Sequence, residues 1–186
     1  MRLLKALLYL VLALVALFLL VGLFLPKTAQ VERSITTSAS PATVYSLVDG
    51  FKRFNEWSPW ARIDPATTYT YSGPETGVGA RMEWASAHPD VGKGSQEVID
   101  VRPGQSVTSK LDFGMDNPTT STINLEPAGT GTRVTWTLDS DFSGSLVGRY
   151  FGLALDRMVG PDYEKGLAQL KAVAESTTPA SAPTLQ

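Results

Sequence analysis

The chain has 186 residues, 18% of them charged and 43% apolar, which is room for one domain with a real core and too little for two. Its formal charge of −2 offers no basic excess to neutralise phosphates, which sets nucleic acid aside as a main partner. There is no cysteine, which excludes disulfides and thiolate metal sites and is compatible with either side of a bacterial inner membrane.

The first element is an anchor. From Ala6 to Leu25 no charge occurs, and nearly every position is Leu, Val, Ala or Phe. Those residues at 1.5 Å rise each span roughly 30 Å, the thickness of a bilayer's hydrocarbon core. Arg2 and Lys5 precede the stretch, and Pro26 and Lys27 close it. A cleaved secretory signal has a shorter apolar region, about 7–15 residues, and a small-x-small cleavage site. Here Ala29 would stand at −1 with Lys27 at −3, a poor fit, so an uncleaved membrane helix is expected. Arg2, Lys5 and the terminal amine slightly outweigh Lys27 and Arg33. That balance puts residues 1–5 in the cytoplasm and the domain outside, in the periplasm of a two-membrane bacterium. The expected location is therefore the inner membrane, crossed once by residues 6–25, with a linker over 26–30.

Gln30 to Thr37 alternates Val31, Arg33 and Ile35 against Glu32, Ser34 and Thr36, the pattern of a half-buried strand. Ser40 then offers an N-cap with Pro41 at the first helical position, predicting a short helix over Pro41–Val48 that ends at Asp49-Gly50. A second short helix is predicted from about Lys52 to Glu56, stopped by Ser58-Pro59. Six strands follow, each bounded by turn residues: Thr67–Ser72, Ala80–Ser86, Gly94–Val101, Ser106–Phe113, Thr119–Glu126 and Arg133–Ser140. Their spacing and β-branched content predict an antiparallel meander. From Leu146 to Val173 the apolar period becomes helical, with Pro161 interrupting it. One long helix kinked there, or two helices end to end, would fit. Residues 176–186, rich in Thr, Pro, Ala and Ser, are expected to form a disordered tail.

This order resembles the helix-grip fold of the SRPBCC or START-like (birch-pollen-allergen-like) superfamily, of the "polyketide cyclase/dehydrase and lipid transport" type. The likeness covers residues 31–175. It rests on Val31-Glu32-Arg33-Ser34-Ile35 leading into Ser40-Pro41-Ala42-Thr43-Val44-Tyr45, and on Phe54-Asn55-Glu56-Trp57-Ser58-Pro59-Trp60. Gly92-Lys93-Gly94-Ser95, Gly131-Thr132-Arg133-Val134-Thr135-Trp136 and Gly166-Leu167-Ala168-Gln169-Leu170-Lys171 complete it. The fold class implied is α+β: a curved antiparallel sheet of about seven strands around a long C-terminal helix, preceded by one transmembrane helix.

In this superfamily the space between sheet and helix typically receives lipids, sterols or polyketides. Strand parity selects Met82, Trp84, Leu111, Phe113, Ile123 and Trp136 as facing that space, and the final helix would add Tyr150, Leu155 and Met158. Trp57 and Trp60 complete the set of ligand-binding candidates. The same residues would equally well make an ordinary core.

Little else in the sequence carries chemistry. His88 is the sole histidine, so neither a transition-metal site nor a nucleophile–histidine–acid arrangement is expected, and no cofactor. Ala87-His88-Pro89-Asp90 shares its His-Pro-Asp with chaperone J-domains, but strands flank it here, so it reads as a loop. Gly77-Val78-Gly79, Gly92-Lys93-Gly94 and Gly129-Thr130-Gly131 open no helix and read as hairpin turns. Glu83, Glu97, Asp100, Asp112, Asp139 and Asp141 lie on or beside strands, and any of them facing the interior could act as a general acid or base.

Three functions compete at this stage. The first is a membrane-tethered domain binding a hydrophobic or amphipathic molecule, lipid or polyketide-like, from the bilayer beside it. The second is a polyketide-cyclase-like enzyme, and the third a protein-interaction or stress-related domain without a small ligand.

Overall fold

The computed structural model describes residues 2–115 and 117–177. Leu, Ala, Val and Phe without a breaker give one uninterrupted helix, α1 (Arg2–Phe24), long and apolar enough to cross a membrane. Only three residues separate it from the first strand, β1 (Thr28–Thr37), which starts earlier than the alternation indicated. Helix α2 (Pro41–Val48) begins as predicted: the Ser40 hydroxyl accepts the Thr43 N–H at 3.2 Å, with Pro41 next in line.

The following segment departs from expectation. In place of a helix over Lys52–Glu56 there are two 3₁₀ turns, Phe54–Glu56 and Trp60–Arg62. Ser58 and Pro59 divide them, and Trp57 is pulled inward between them, which leaves no room for a regular helical face.

Six strands then run in sequence: β2 (Thr68–Ser72), β3 (Arg81–Ala85), β4 (Lys93–Arg102), β5 (Ser106–Asp112), β6 (Thr119–Ala128) and β7 (Gly131–Asp141). The sheet is a seven-stranded antiparallel one in the order β1-β7-β6-β5-β4-β3-β2, so the meander ends by pairing with the first strand. Gly129, at φ 61°, opens the two-residue turn joining β6 to β7, a conformation for which glycine is the default.

The C-terminal helices are two: α3 (Leu146–Gly152) and α4 (Leu155–Thr177). The break falls at Leu153-Ala154 and not at Pro161, which lies within α4 on its exposed side. There the carbonyl that proline leaves without a helical partner can be met by water. Ser176 and Thr177, expected in the tail, finish α4 with both hydroxyls donating to the Val173 carbonyl; residues 178–186 lie outside the described residues.

The inner face of the sheet is read off the register. Val31 pairs with Leu138, and Trp136 with Ile123; Ile123 pairs with Val107, Leu111 with Gln96, and Gln96 with Met82. These residues form one continuous side, and α4 and α2 pack against it. This is the helix-grip architecture, α+β, with one apolar helix in front. Two glycines of α4 let the grip close: a Cβ on Gly166 would stand 2.7 Å from the Trp136 ring, and one on Gly160 would overlap the Arg33 guanidinium.

Candidate functional site

The interior is built around Trp136, which sits mid-strand on β7. Its indole N–H donates to the Ser121 hydroxyl at 2.8 Å, and its ring stacks on Tyr163 of α4 with centroids 3.8 Å apart. Trp57 and Trp60 meet Trp136 edge-on at 5.3 and 6.1 Å, and Phe54 meets Trp57 at 4.8 Å. Aromatic pairs in such offset or T-shaped geometry each contribute about 0.5–1.5 kcal/mol beyond area burial. The Trp-Ser-Pro-Trp segment is thus a wedge between sheet and α4. Trp57 is fixed by its N–H to the Leu47 carbonyl at 3.0 Å, and Pro59 rests beside Gly166.

What remains open inside is small. A void of about 30 Å³ is lined by Val48, Gly50, Phe51, Phe54, Trp57, Gln96, Val107, Ser109, Ser121, Ile123 and Trp136. That is room for about one water, against roughly 300–1,000 Å³ for sites that enclose a small molecule. Its polar side is the informative one. Gln96 and Ser109 are buried, face the void, and have no side-chain hydrogen-bond partner among the described residues, whereas Ser121 is engaged by Trp136. The polar atoms of Gln96 and Ser109 are not sealed off without a partner, as Asn55 Oδ1, Arg149 Nε and Gln169 Oε1 are, but keep some accessible surface, so a guest in the void would meet an amide and a hydroxyl.

A larger cleft, about 360 Å³, lies outside the grip where the β2–β3 hairpin meets the end of α2. Lys52, Glu75 and Arg81 give it polar walls, and Phe51 separates it from the interior void.

The expected candidates fall into three groups. Trp57, Met82, Ile123, Trp136 and Leu155 are buried in the core, of which Trp57, Ile123 and Trp136 border the void. Trp60, Trp84 and Leu111 are half-buried against the core and do not line the void, and Phe113 is exposed with its ring against Trp84 at 5.9 Å. Tyr150 and Met158 leave the interior altogether. Tyr150 stacks on Phe18 of α1, and Met158 faces outward. The periodicity that selected these two fixes a helical face but not the neighbour it meets.

Gln96, Ser109, Ser121 and Tyr163 were not among the expected site residues. Only their parity was legible: the three polar residues stand at inward positions on their strands, beside Val98, Val107 and Ile123. Burial holds the Tyr163 phenol well above its usual value, so it is a neutral hydrogen-bonding group.

All six strand carboxylates lie away from the interior. Glu83 and Glu97 pair with Arg81 on the outer face, at 3.0 and 3.4 Å. Asp139 accepts from Gln30, and Asp112 and Asp141 accept backbone N–H groups of the turns that follow them; Asp100 is exposed. His88 sits in the β3–β4 loop, its Nδ1 accepting the Asp90 N–H at 3.2 Å. Among the described residues no cluster of His, Asp or Glu is arranged to hold a metal ion.

Comparison with known proteins agrees with this architecture. Norcoclaurine synthase from Thalictrum flavum, solved with dopamine and hydroxybenzaldehyde, superposes with a TM-score of 0.62 at 12% identity, covering 82% of this chain and 90% of its own. The di-domain ARO/CYC StfQ of the steffimycin biosynthetic pathway gives 0.58 at 13% identity, covering 80% of this chain and 51% of its own. The Aha1 dimer from Colwellia psychrerythraea gives 0.54 at 18% identity, covering 79% and 96%. At these identities the likeness concerns the fold. No curated protein matches the chain by sequence. Residues 28–175 match the family described as polyketide cyclase/dehydrase and lipid transport, and the chain, with its seven-stranded grip, belongs to that family of the SRPBCC superfamily.

Proposed function

We propose that this protein binds a hydrophobic or amphipathic small molecule, lipid or polyketide-like, inside the grip while α1 holds it in the inner membrane. The observation that carries the reading is an aromatic-walled void whose lining also presents the Gln96 amide and the Ser109 hydroxyl. An apolar guest with one polar group would satisfy both halves of that lining. The void must enlarge to admit it. The Gly50–Pro59 segment is the natural moving part: it brings Phe51, Phe54 and Trp57 to the void with only the Phe54–Glu56 turn as regular structure, and short turns open at lower free energy than packed helices. The family's description and the ligands in the norcoclaurine synthase structure favour the same reading.

The soluble domain, residues 31–175, would stand in the periplasm, with residues 1–5 in the cytoplasm and 26–30 as the join. Reporter fusions at the C-terminus test that orientation, and a cytoplasmic readout would overturn it. Native mass spectrometry and solvent extraction of the full chain, purified from membranes, test the ligand. A co-purifying lipid or polyketide-like molecule is expected. Its retention should be weakened by the paired change Gln96→Met with Ser109→Ala, which removes both polar groups while adding little bulk to the void. A chain that is empty from every source and indifferent to added hydrophobic molecules would overturn the reading.

A further inference from the structure

Helix α3 packs on the last turns of α1. Leu146 and Tyr150, one helical turn apart, close over Gly22, where an added Cβ would lie 2.9 Å from Leu146. The Tyr150 ring stacks on Phe18 at 4.3 Å, and its hydroxyl donates to the Phe18 carbonyl at 2.5 Å. The Arg149 guanidinium donates to the carbonyls of Gly22 and Leu23 at 3.0 and 3.3 Å. These carbonyls lie at a helix C-terminus, where cations are favoured.

These contacts fix a depth. Phe18 lies seven residues before Leu25, so Tyr150 reaches a level about 10 Å inside the apolar stretch. Drawing residues 18–25 out of the bilayer to keep α3 dry would leave Ala6–Leu17. That is about 18 Å of helix against a hydrocarbon core of about 30 Å. The span cannot give up those turns, so α3 must go in with them.

The exposed apolar side chains of the domain agree. Val147 (67% exposed), Phe151, Leu153 (61%) and Met158 (54%) crowd α3 and the start of α4. The register extends the patch across the sheet. Ala29 pairs with Ser140, Ser140 with Thr119, and Thr119 with Leu111, one level row leading from the anchor to the end of β5. Just past that row stand Phe113 and Met115 (53% exposed).

We infer that α3, the Leu153-Ala154 turn and the Phe113–Met115 segment after β5 form a membrane-docking face. On this face Val147, Phe151, Leu153 and Met115 enter the boundary between lipid headgroups and acyl chains. The occupant is the bilayer itself, because the patch is continuous with a helix that must lie in it. The inference rests on α1 spanning the membrane, as proposed above.

The absence of native cysteine makes the test direct. Single variants Val147→Cys, Leu153→Cys and Met115→Cys of the full chain carry an environment-sensitive fluorophore. They are reconstituted into vesicles of phosphatidylethanolamine and phosphatidylglycerol, with Leu12→Cys inside α1 and Val78→Cys on the distant hairpin as references. All three should be blue-shifted and quenched by lipids carrying a nitroxide near the headgroup, unlike Val78→Cys, while Leu12→Cys is quenched by lipids carrying the nitroxide deep in the acyl chain. If Leu12→Cys is quenched while the three behave like Val78→Cys, the span stands and the docking face is overturned. If Leu12→Cys is not quenched, the span fails and the docking face with it. Protection of the three from lipid and aqueous quenchers alike would assign the face to a second copy of the chain and overturn the inference equally.

Discussion

Arg33 and Arg149 each tie a C-terminal helix to a segment near the N-terminus, Arg33 with two carboxylates at the surface and Arg149 under cover with carbonyl oxygens. Arg33 reaches Asp156 and Glu164 of α4 at 2.8 Å each, crossing beside Gly160. Arg149 is buried, and its partners are Gly22, Leu23 and Ser143 carbonyls, the last at 3.4 Å. Its Nε has no hydrogen-bond partner among the described residues. Exposed ion pairs are screened and exchange readily with water, so the Arg33 cluster chiefly sets where α4 lies on β1. A buried cation cannot retreat to solvent without separating its surroundings, so Arg149, beside the Tyr150 and Leu146 contacts, commits α3 to the end of α1. Charge pairing positions one helix, while burial commits the other.

Several changes would break or sharpen that contrast. The largest effect should come from neither arginine but from the core that both fasten. Trp136→Ala removes the ring on which Trp57, Trp60 and Tyr163 converge, and should lower domain stability by about 3–5 kcal/mol. Urea unfolding followed by Trp fluorescence would show it, and a loss below about 1 kcal/mol would mean the aromatic cluster is not the core's centre. Arg149→Ala comes next. Hydrogen bonds to a charged group are worth about 1.5–3 kcal/mol each, so α3 should lose amide-exchange protection in vesicles while β1–β7 keep theirs. Equal loss in both regions would show that Arg149 supports the whole domain and not one junction. Ser121→Ala strands the Trp136 indole N–H, at about 1–3 kcal/mol, and a thermal melt indistinguishable from wild type would place a water there instead.

The smallest effect, and the one that separates the two arginines most cleanly, is acidification. The Arg33 guanidinium holds the Asp156 carboxyl below its ordinary 3.8, and the Ser38 N–H with the Thr37 and Ser38 hydroxyls holds Glu175 below its ordinary 4.5. A depressed carboxylate contributes fully above its unfolded value and loses that contribution as the pH falls through the folded one. Below about pH 4, α4 should therefore loosen from β1, while the α1–α3 junction, with no carboxylate among those contacts, stays as it was. Amide exchange of both regions at pH 6 and pH 3, corrected for intrinsic rates, checks this; simultaneous release would refute the distinction.

Much of the fold was legible because local chemistry and tertiary demand coincide. Ser40-Pro41 starts α2, alternation marks the strands, and Gly166-Leu167-x-x-Leu170 lays α4 on Trp136. The failures are tertiary. Pro161 looked like the helix break because its missing N–H is visible in sequence. The actual break at Leu153-Ala154 follows from α3 turning toward α1, which no local pattern records. Tyr150 was legible as an apolar-face residue but not as a neighbour of Phe18, 132 positions earlier. Inside the grip, the aromatic residues announced themselves by type. Gln96 and Ser109 did not, since a polar residue at inward parity becomes informative only once its neighbours are known to be buried.

With α1 in the bilayer as proposed, Gly22 has a consequence for how the protein would meet others in the same membrane. A side-chain-free position lets α3 lock against the anchor, so the domain keeps one azimuth around the helix axis instead of swivelling on a loose leash. Neighbours approaching in the plane of the membrane always encounter the same profile, with edge strand β2 on one flank and β1 with its covering α4 on the other. Each residue inserted within α1 would turn that profile by about 100°. Encounters requiring a particular flank should thus recur with a helical phase as the anchor is lengthened.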